Sequence, residues 1–219
     1  MAGAGTSSLE DLYKAFPALV GRDATSAERS AFERYGDLLT HWNRTHHLTS
    51  LQTRGAIGRG LFVDSLFFRA LIPGGAKQVV DIGAGAGIPG IPLRIVDPEM
   101  CLTLIESRRK PVSFLHALVR ELSLTNVEIR HGRAEDLISE FPGLVGRFDL
   151  ALTRAVGPSR MLLKSAMTYL KPEGRLVMAG PPPGSRRPRV NWDGPIEWKD
   201  IDFAGMRATR TFLVCSAQS

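Results

Sequence analysis

Gln78-Val-Val-Asp-Ile-Gly-Ala-Gly-Ala-Gly-Ile-Pro-Gly90 is the stretch that decides how this chain folds. Val79, Val80 and Ile82 form a short apolar run, the pattern of a buried strand. Gly83, Gly85 and Gly87 then alternate with alanines, and apolar residues continue from Ile88 to Val96, which reads as a helix with Pro89 in its first turn. Glycines let such a turn adopt positive φ and bring bare main chain against a ligand. The helix start adds free N–H groups and the positive end of a dipole, suited to an anionic group.

Two nucleotide-type cofactors use a strand, glycine turn and helix of this kind. Read from Asp81, the stretch is Asp-x-Gly-x-Gly-x-Gly, the S-adenosylmethionine loop of class I methyltransferases. Read from Gly85, it is the Gly-x-Gly-x-x-Gly dinucleotide fingerprint. That second reading leaves Gly83 unexplained, separates the first glycine from the strand and gives Asp81 no role. A glycine-rich turn of another α/β protein is the third possibility.

The chain has 219 residues, enough for one α/β domain and a modest extension. Apolar residues make up 43% and charged residues 23%, an ordinary globular composition with no apolar run near the ~20 residues of a membrane span. Residues 1–8 lack the basic start and apolar core of a secretory signal and read as a frayed tail. Cys101 and Cys215 lie in apolar, strand-like runs and read as buried thiols of a reducing, cytoplasmic compartment. The five histidines lack metal-ligand spacing, so no metal is expected. A net charge of +6 fits a polyanionic partner.

Upstream, helical spacing marks 9–20, then a helix capped by Thr25 or Ser26 with Phe32, Tyr35, Leu38, Leu39 and Trp42 on its apolar stripe, then a third helix over 54–72. Residues 1–75 are therefore read as a helical extension and 76–219 as the main domain. From Gln78, expected strands at 78–83, 100–106, 127–131, 147–153 and 173–179 alternate with helices at 88–96, 108–122, 133–140 and 158–170. Alternation of that kind gives βαβ units and a doubly wound, mostly parallel sheet. Strands expected at 196–202 and 209–216 have no helix between them, so they pair antiparallel. The whole is an α/β, Rossmann-like class I methyltransferase fold with an antiparallel C-terminal hairpin. Pro181-Pro-Pro-Gly-Ser-Arg-Arg-Pro-Arg189, with four prolines in nine residues, forbids a helix before that hairpin and leaves a basic extended loop.

Ligands of doubly wound sheets bind beyond the carboxyl ends of the strands. Glu106 closes the second strand about twenty residues past the glycines, where a carboxylate accepts hydrogen bonds from a ribose diol. Ala134 and Glu135, after the third strand, either meet an adenine edge or form an acid-rich helix start. Arg154 directly follows the apolar fourth strand and is expected to meet a carboxylate, a phosphate or the methionine end of the cofactor, unless it is simply a surface arginine. Methyl transfer from a sulfonium mainly requires alignment of the acceptor. The fourth strand runs into Thr153-Arg-Ala-Val156, which is not the Asn/Asp-Pro-Pro-aromatic turn of exocyclic amine methylation. Neither cysteine is placed as a nucleophile for pyrimidine carbon methylation. No Lys-Asp-Lys set for ribose methylation is apparent. A ring nitrogen needs no general base, so no catalytic base is assigned and Arg154 is the candidate positioning residue.

Val80-Asp-Ile-Gly-Ala-Gly-Ala-Gly-Ile-Pro-Gly-Ile-Pro-Leu93 resembles the bacterial glucose-inhibited division protein B family, the 16S rRNA guanine-N7 methyltransferases. Arg109-Lys110, Gly132-Arg-Ala-Glu135, Arg154-Ala155 and Leu170-Lys-Pro-x-Gly-Arg-Leu176 agree in order, as do Trp42-Asn43, Leu48-Thr49 and Asp64-Ser65-Leu66 upstream. The resemblance spans roughly residues 30 to 180. It implies S-adenosylmethionine at Gly83, Ile88, Ala134, Glu135 and Arg154, and a guanine N7 of 16S rRNA as acceptor. Glu106 stands where the family usually has Asp, His47 for Asn, Leu61 for His and Ala179 for Lys.

Together these readings give Asp81, Gly83, Gly85, Gly87, Ile88, Glu106, Ser107, Ala134, Glu135 and Arg154 as cofactor contacts. Arg44, Arg54, Arg59, Arg108, Arg109, Lys110, Arg186, Arg187 and Arg189 are candidates for RNA contact, or else solvated surface. The expected partner is 16S rRNA or a small-subunit assembly intermediate, engaged by a monomer with no membrane association. A small-molecule or other-RNA methyltransferase, and a non-enzymatic RNA-binding module, are the alternatives.

Overall fold

The computed structural model describes residues 8–154, 157–206 and 208–216; Ala155, Val156 and most of the expected N-terminal tail lie outside the described residues. Seven strands form one sheet in the order β3-β2-β1-β4-β5-β7-β6. They are β1 Gln78–Ile82, β2 Cys101–Glu106, β3 Val127–His131, β4 Phe148–Thr153, β5 Leu170–Ala179, β6 Ile196–Asp202 and β7 Thr209–Ser216. The first five pair in parallel and β7 runs antiparallel to both β5 and β6. The chain builds outward from β1 to β3, then restarts at β4 on the other side of β1, so the switch point lies between β1 and β4.

Alternation along the strands divides the core into two layers. Val79, Leu102, Leu104, Leu150, Leu152, Val177, Phe212 and Val214 face one layer; Val80, Ile82, Ile105, Ala151, Leu176, Met178, Leu213 and Cys215 face the other. Helices α7 (Ala134–Glu140) and α8 (Arg160–Tyr169) cover the second face. The first is covered by α5 (Gly90–Val96), α6 (Arg109–Glu121) and the whole N-terminal segment. In that segment α1 (Glu10–Val20) and α2 (Ser26–His46) bury Leu12, Phe16, Phe32, Tyr35 and Leu39. Each such side chain stabilises by ~1.5–3 kcal/mol, so the extension is welded to the sheet rather than tethered beside it. Thr25 starts α2 through a capping box: its hydroxyl accepts from the Glu28 N–H at 3.2 Å and the Glu28 carboxylate accepts from the Thr25 N–H at 2.7 Å.

Four expectations need correction. The helix expected over 54–72 is interrupted: α3 (Arg54–Ile57) passes into a π turn (Gly58–Val63), then α4 (Asp64–Leu66) and a 3₁₀ turn (Phe67–Leu71). Gly58 and Gly60 are poor helix formers, and a Cβ on them would stand 2.8 Å from a Leu9 methyl and 2.7 Å from a Leu51 methyl, so these leucines close onto the turn where the glycines leave room. The helix after β1 starts at Gly90, with Pro89 outside it, because Gly87 and Ile88 donate to the Ala84 carbonyl and prolong the turn. β5 begins at Leu170 rather than 173, since Leu170 pairs with Phe148 ahead of a register shift. Cys101 is only partly buried at the start of β2, whereas Cys215 is fully buried, and burial pushes its thiol up to about 11.

Candidate active site

The three glycines of the β1–α5 turn all take positive φ: 76° at Gly83, 56° at Gly85 and 86° at Gly87. Gly83 and Ala84 donate to the Ile105 carbonyl at 2.9 and 3.0 Å, which ties the turn to β2. A Cβ on Gly87 would lie 2.8 Å from Ile91, 3.0 Å from the Tyr35 hydroxyl and 3.2 Å from Leu115, so this glycine is needed for packing. A Cβ on Gly85 would meet nothing nearer than the Gly83 carbonyl at 3.8 Å and Arg108 at 3.9 Å. Gly85 therefore leaves an open cradle of main chain on the ligand side. Tyr35 of α2 reaches across to donate its hydroxyl to the Ala86 carbonyl, and its ring packs on Phe62 at 4.7 Å.

Two buried carboxylates flank the turn. Glu106, at the end of β2, is 3% exposed. Its Oε2 accepts from the Gly85 N–H at 2.8 Å, and its Oε1 accepts from the Arg108 N–H at 2.8 Å and from Arg108 Nε at 3.2 Å. Asp81 is fully buried in β1; Oδ2 accepts from the Gly90 N–H at 2.8 Å while Oδ1 has no hydrogen-bond partner. Burial raises the Asp81 carboxyl to about 7, against the Gly90 hydrogen bond that lowers it and with the Glu106 charge adding to the rise.

The remaining cofactor candidates ring the same strand ends. Ile88 is buried beneath the turn. Ser107 is exposed just past Glu106, and its carbonyl lies 3.2 Å from His131 Nε2. Ala134 opens α7 and is fixed from below: the Tyr169 hydroxyl donates to its carbonyl at 2.6 Å. Glu135 beside it is half-buried, 3.5 Å from Arg133. Arg154 leaves β4 and does meet a carboxylate. It donates to the Gly60 carbonyl of the π turn at 3.0 Å and stands 3.6 Å from Asp64 Oδ2.

A cavity of about 660 Å³ opens beyond the ends of β4, β5 and β7, bordered by Asp64, Arg154, Arg210, Trp198 and the prolines 181–183. Arg210 holds Asp64 Oδ1 through Nε at 2.8 Å and a terminal nitrogen at 2.6 Å. Sequence reasoning assigned no role to Asp64, Arg210 or Tyr35. The signal for Asp64 was present: it is a lone charge inside the apolar run Leu61-Phe-Val-Asp-Ser-Leu-Phe67, where a charge needs a partner, whereas Arg210 stands between Thr209 and Thr211 at the head of a strand. Tyr35 carried no such mark.

The basic candidates divide. Arg54 pairs with Glu33 and Asp37, Arg59 with Asp11, and Arg187 with Asp200, which places all three in surface ion pairs. Arg108, Arg109 and Lys110 border a smaller cleft of about 180 Å³ with His46 and His47, at the meeting of α2 and α6. Arg44 is exposed near the end of α2, and Arg186 and Arg189 are exposed on the proline loop. No cluster of three or more His, Cys, Asp or Glu is placed to hold a metal among the described residues. No described helix is long and apolar enough to cross a membrane.

A five-stranded parallel sheet with this order, an antiparallel strand inserted beyond β5, a glycine turn after β1 and an acid closing β2 together define the class I methyltransferase fold. A solved relative in fold, the O-methyltransferase TomG of Streptomyces achromogenes in complex with S-adenosylmethionine, superposes with a TM-score of 0.56 at 16% identity, over 95% of this chain and 96% of that one. The family model described as GidB, rRNA small subunit methyltransferase G, matches residues 28–180. The chain belongs to that family. It is 36% identical over 159 residues to the ribosomal RNA small subunit methyltransferase G of Streptococcus sanguinis, covering 72% of this chain and 67% of that one. The match to the Streptococcus pneumoniae protein of the same name is 36% over 155 residues, 70% of this chain and 65% of the relative. The chain thus spans about two thirds of the length of these relatives.

Proposed function

We propose that this protein transfers the methyl group of S-adenosylmethionine to N7 of a guanine in 16S rRNA. The observation that carries the donor half is the pairing of Gly85, open on its ligand side, with the buried Glu106 carboxylate at the end of β2. Glu106 accepts from the ribose diol, Gly83 and Gly85 offer bare main chain, and Asp81, Gly87 and Ile88 fix the turn. Ser107, Ala134 and Glu135 border the nucleoside end, and Arg154 holds the methionine end. When bound, S-adenosylmethionine supplies an electrophilic methyl on a sulfonium, which a ring-nitrogen lone pair accepts without losing a proton. That chemistry accords with Glu106, whose carboxylate is buried and engaged by the Gly85 and Arg108 N–H groups.

The acceptor half rests on family membership and on cationic side chains beside the donor site. Arg108, Arg109 and Lys110 with Arg44, and Arg186 and Arg189 on the proline loop, are the phosphate contacts. The residues to 75 act as a helical extension of the catalytic domain, and the protein works as a monomer in the cytoplasm on rRNA or an assembling small subunit. The test is transfer of labelled methyl from S-adenosylmethionine to 16S rRNA that lacks the mark, followed by mapping of the modified nucleotide. Label at a guanine N7 is the expected result; tight donor binding with unlabelled rRNA refutes the acceptor assignment.

A further inference from the structure

We infer that the 660 Å³ cavity beyond β4, β5 and β7 receives the target base flipped out of the RNA, and that Asp64 reads it as guanine. The inference rests on the function proposed above and adds the group that selects the base.

The position is right for an acceptor. The donor's nucleoside end belongs over β1, β2 and β3, where Gly85, Glu106 and Ala134 stand, and Arg154 at the end of β4 is common to that site and the cavity. An acceptor approaching the methyl from the side opposite the nucleoside arrives beyond β4 and β5, where the cavity lies. Its volume falls within the ~300–1,000 Å³ usual for small-ligand sites, ample for one nucleotide.

The lining matches one base. Phe68 and Phe212 are buried in the floor, and Trp198 is the partly exposed aromatic ring on the wall, backed by Gly180, where a Cβ would stand 2.8 Å from the indole. An aromatic face of this kind stacks on any base and does not discriminate. Discrimination falls to the polar wall. Among the described residues Asp64 is the one carboxylate bordering the cavity, bracketed by Arg154 and Arg210. Arg210 bonds Oδ1, whereas Arg154 stands 3.6 Å from Oδ2, beyond hydrogen-bond length. The wall therefore presents one carboxylate oxygen, Oδ2 with two lone pairs, beside a donor. Guanine presents the fullest complement on its Watson–Crick edge, with N2–H and N1–H as donors and O6 as acceptor, whereas uracil offers a single N–H beside its carbonyl oxygens. Adenine and cytosine offer one amino donor beside a ring-nitrogen acceptor, which a carboxylate repels. Held by that edge, guanine leaves N7 uncontacted. The proline loop forms part of the rim through residues 181–183 and 188. This otherwise unexplained segment thereby acquires a purpose, since it replaces a helix with a rigid lip beside the base.

The experiment measures RNA binding to the full chain saturated with S-adenosylhomocysteine, using uridine oligonucleotides with one central guanine, inosine or adenine. Inosine lacks only the 2-amino group. Guanine is expected to bind about tenfold or more tightly than inosine, and adenine no better than inosine; equal affinities for guanine and inosine overturn the inference. Asp64→Asn is expected to abolish the guanine preference, and a preference retained by the folded variant overturns it. Should Asp64→Asn fail to fold, a 6-thioguanosine oligonucleotide photocrosslinked to the wild-type chain decides the location. Crosslinks within 180–212 are expected, and crosslinks confined to 44–48 and 108–111 refute it. Failure of the underlying function looks different: the wild-type chain then leaves 16S rRNA unmethylated, whatever the oligonucleotides do.

Discussion

The Glu106 carboxylate accepts the Gly85 main-chain N–H at 2.8 Å, so the acid closing β2 and the middle glycine of the β1–α5 turn are held as one unit. The same carboxylate accepts twice from Arg108. It is thus both the lock on the turn and the proposed grip on the cofactor's ribose. Ribose binding there is expected to displace the Arg108 side-chain contact, which is 68% exposed on the arginine side, before it disturbs the buried Gly85 contact.

Tyr35 ties the N-terminal extension to this turn. Tyr35→Phe removes the hydroxyl and leaves the buried Ala86 carbonyl without its donor. A loss of ~1–3 kcal/mol in stability is expected, with weaker donor binding, because the turn then loses its support from α2. Thermal melts and calorimetric titration of the donor check both; a variant unchanged in each refutes the tie.

Gly87→Ala combines a φ of 86° with a Cβ 2.8 Å from Ile91 and 3.2 Å from Leu115. Strain in the left-handed region and overpacking act together, so a loss of ~2–4 kcal/mol is expected. The matching change at Gly85 carries the left-handed strain at a φ of 56° but no overpacking, so it is expected to cost less stability than Gly87→Ala while weakening donor affinity. Denaturant unfolding of the two variants separates these effects.

Asp81 gives the protein a pH signature. Its carboxyl is raised by burial from 3.8 to about 7, so the folded state favours the protonated form. The contribution to stability is fully present below about 3.8 and is lost as pH rises through about 7. Each pH unit between the two values is worth ~1.4 kcal/mol. Asp81→Asn cannot ionise, so the difference in stability between variant and wild type is expected to move in the variant's favour between about pH 5 and about pH 8. A pH-independent difference contradicts this account of Asp81.

Much of this arrangement was legible in the sequence because it is local. Val79 and Val80 point to opposite core layers as alternation requires, Thr25 and Glu28 form the box their spacing announces, and Glu106 lies at a strand end beside the glycines. What escaped was long-range. Asp64 and Arg210 are 146 residues apart, and they become partners only where the 3₁₀ turn after α4 meets β7, with Phe68 on Phe212 at 4.7 Å. The π turn escaped because Gly58 and Gly60 answer to Leu9 and Leu51 rather than to their own helix. Arg154 was found by its place after β4, but the acid it meets comes from the extension.

Arg109 and Lys110 face the smaller cleft without touching Glu106, so they test the RNA side alone. Replacing both with alanine is expected to weaken binding to 16S rRNA fragments and to flatten the salt dependence by ~0.7–0.9 for each phosphate the variant no longer neutralises. Donor affinity is expected to stay within about twofold. An unchanged salt slope removes this cleft from the RNA path.

The glycine turn and Glu106 are expected to hold S-adenosylmethionine together. Calorimetric titration of S-adenosylmethionine into the wild-type chain and into Glu106→Gln tests it most directly, since the amide keeps the side chain's shape and removes its charge. Binding by the wild type is expected, with an affinity at least about tenfold lower for the variant, the loss that follows when a charge-assisted acceptor is neutralised. Equal affinities in two folded proteins contradict it.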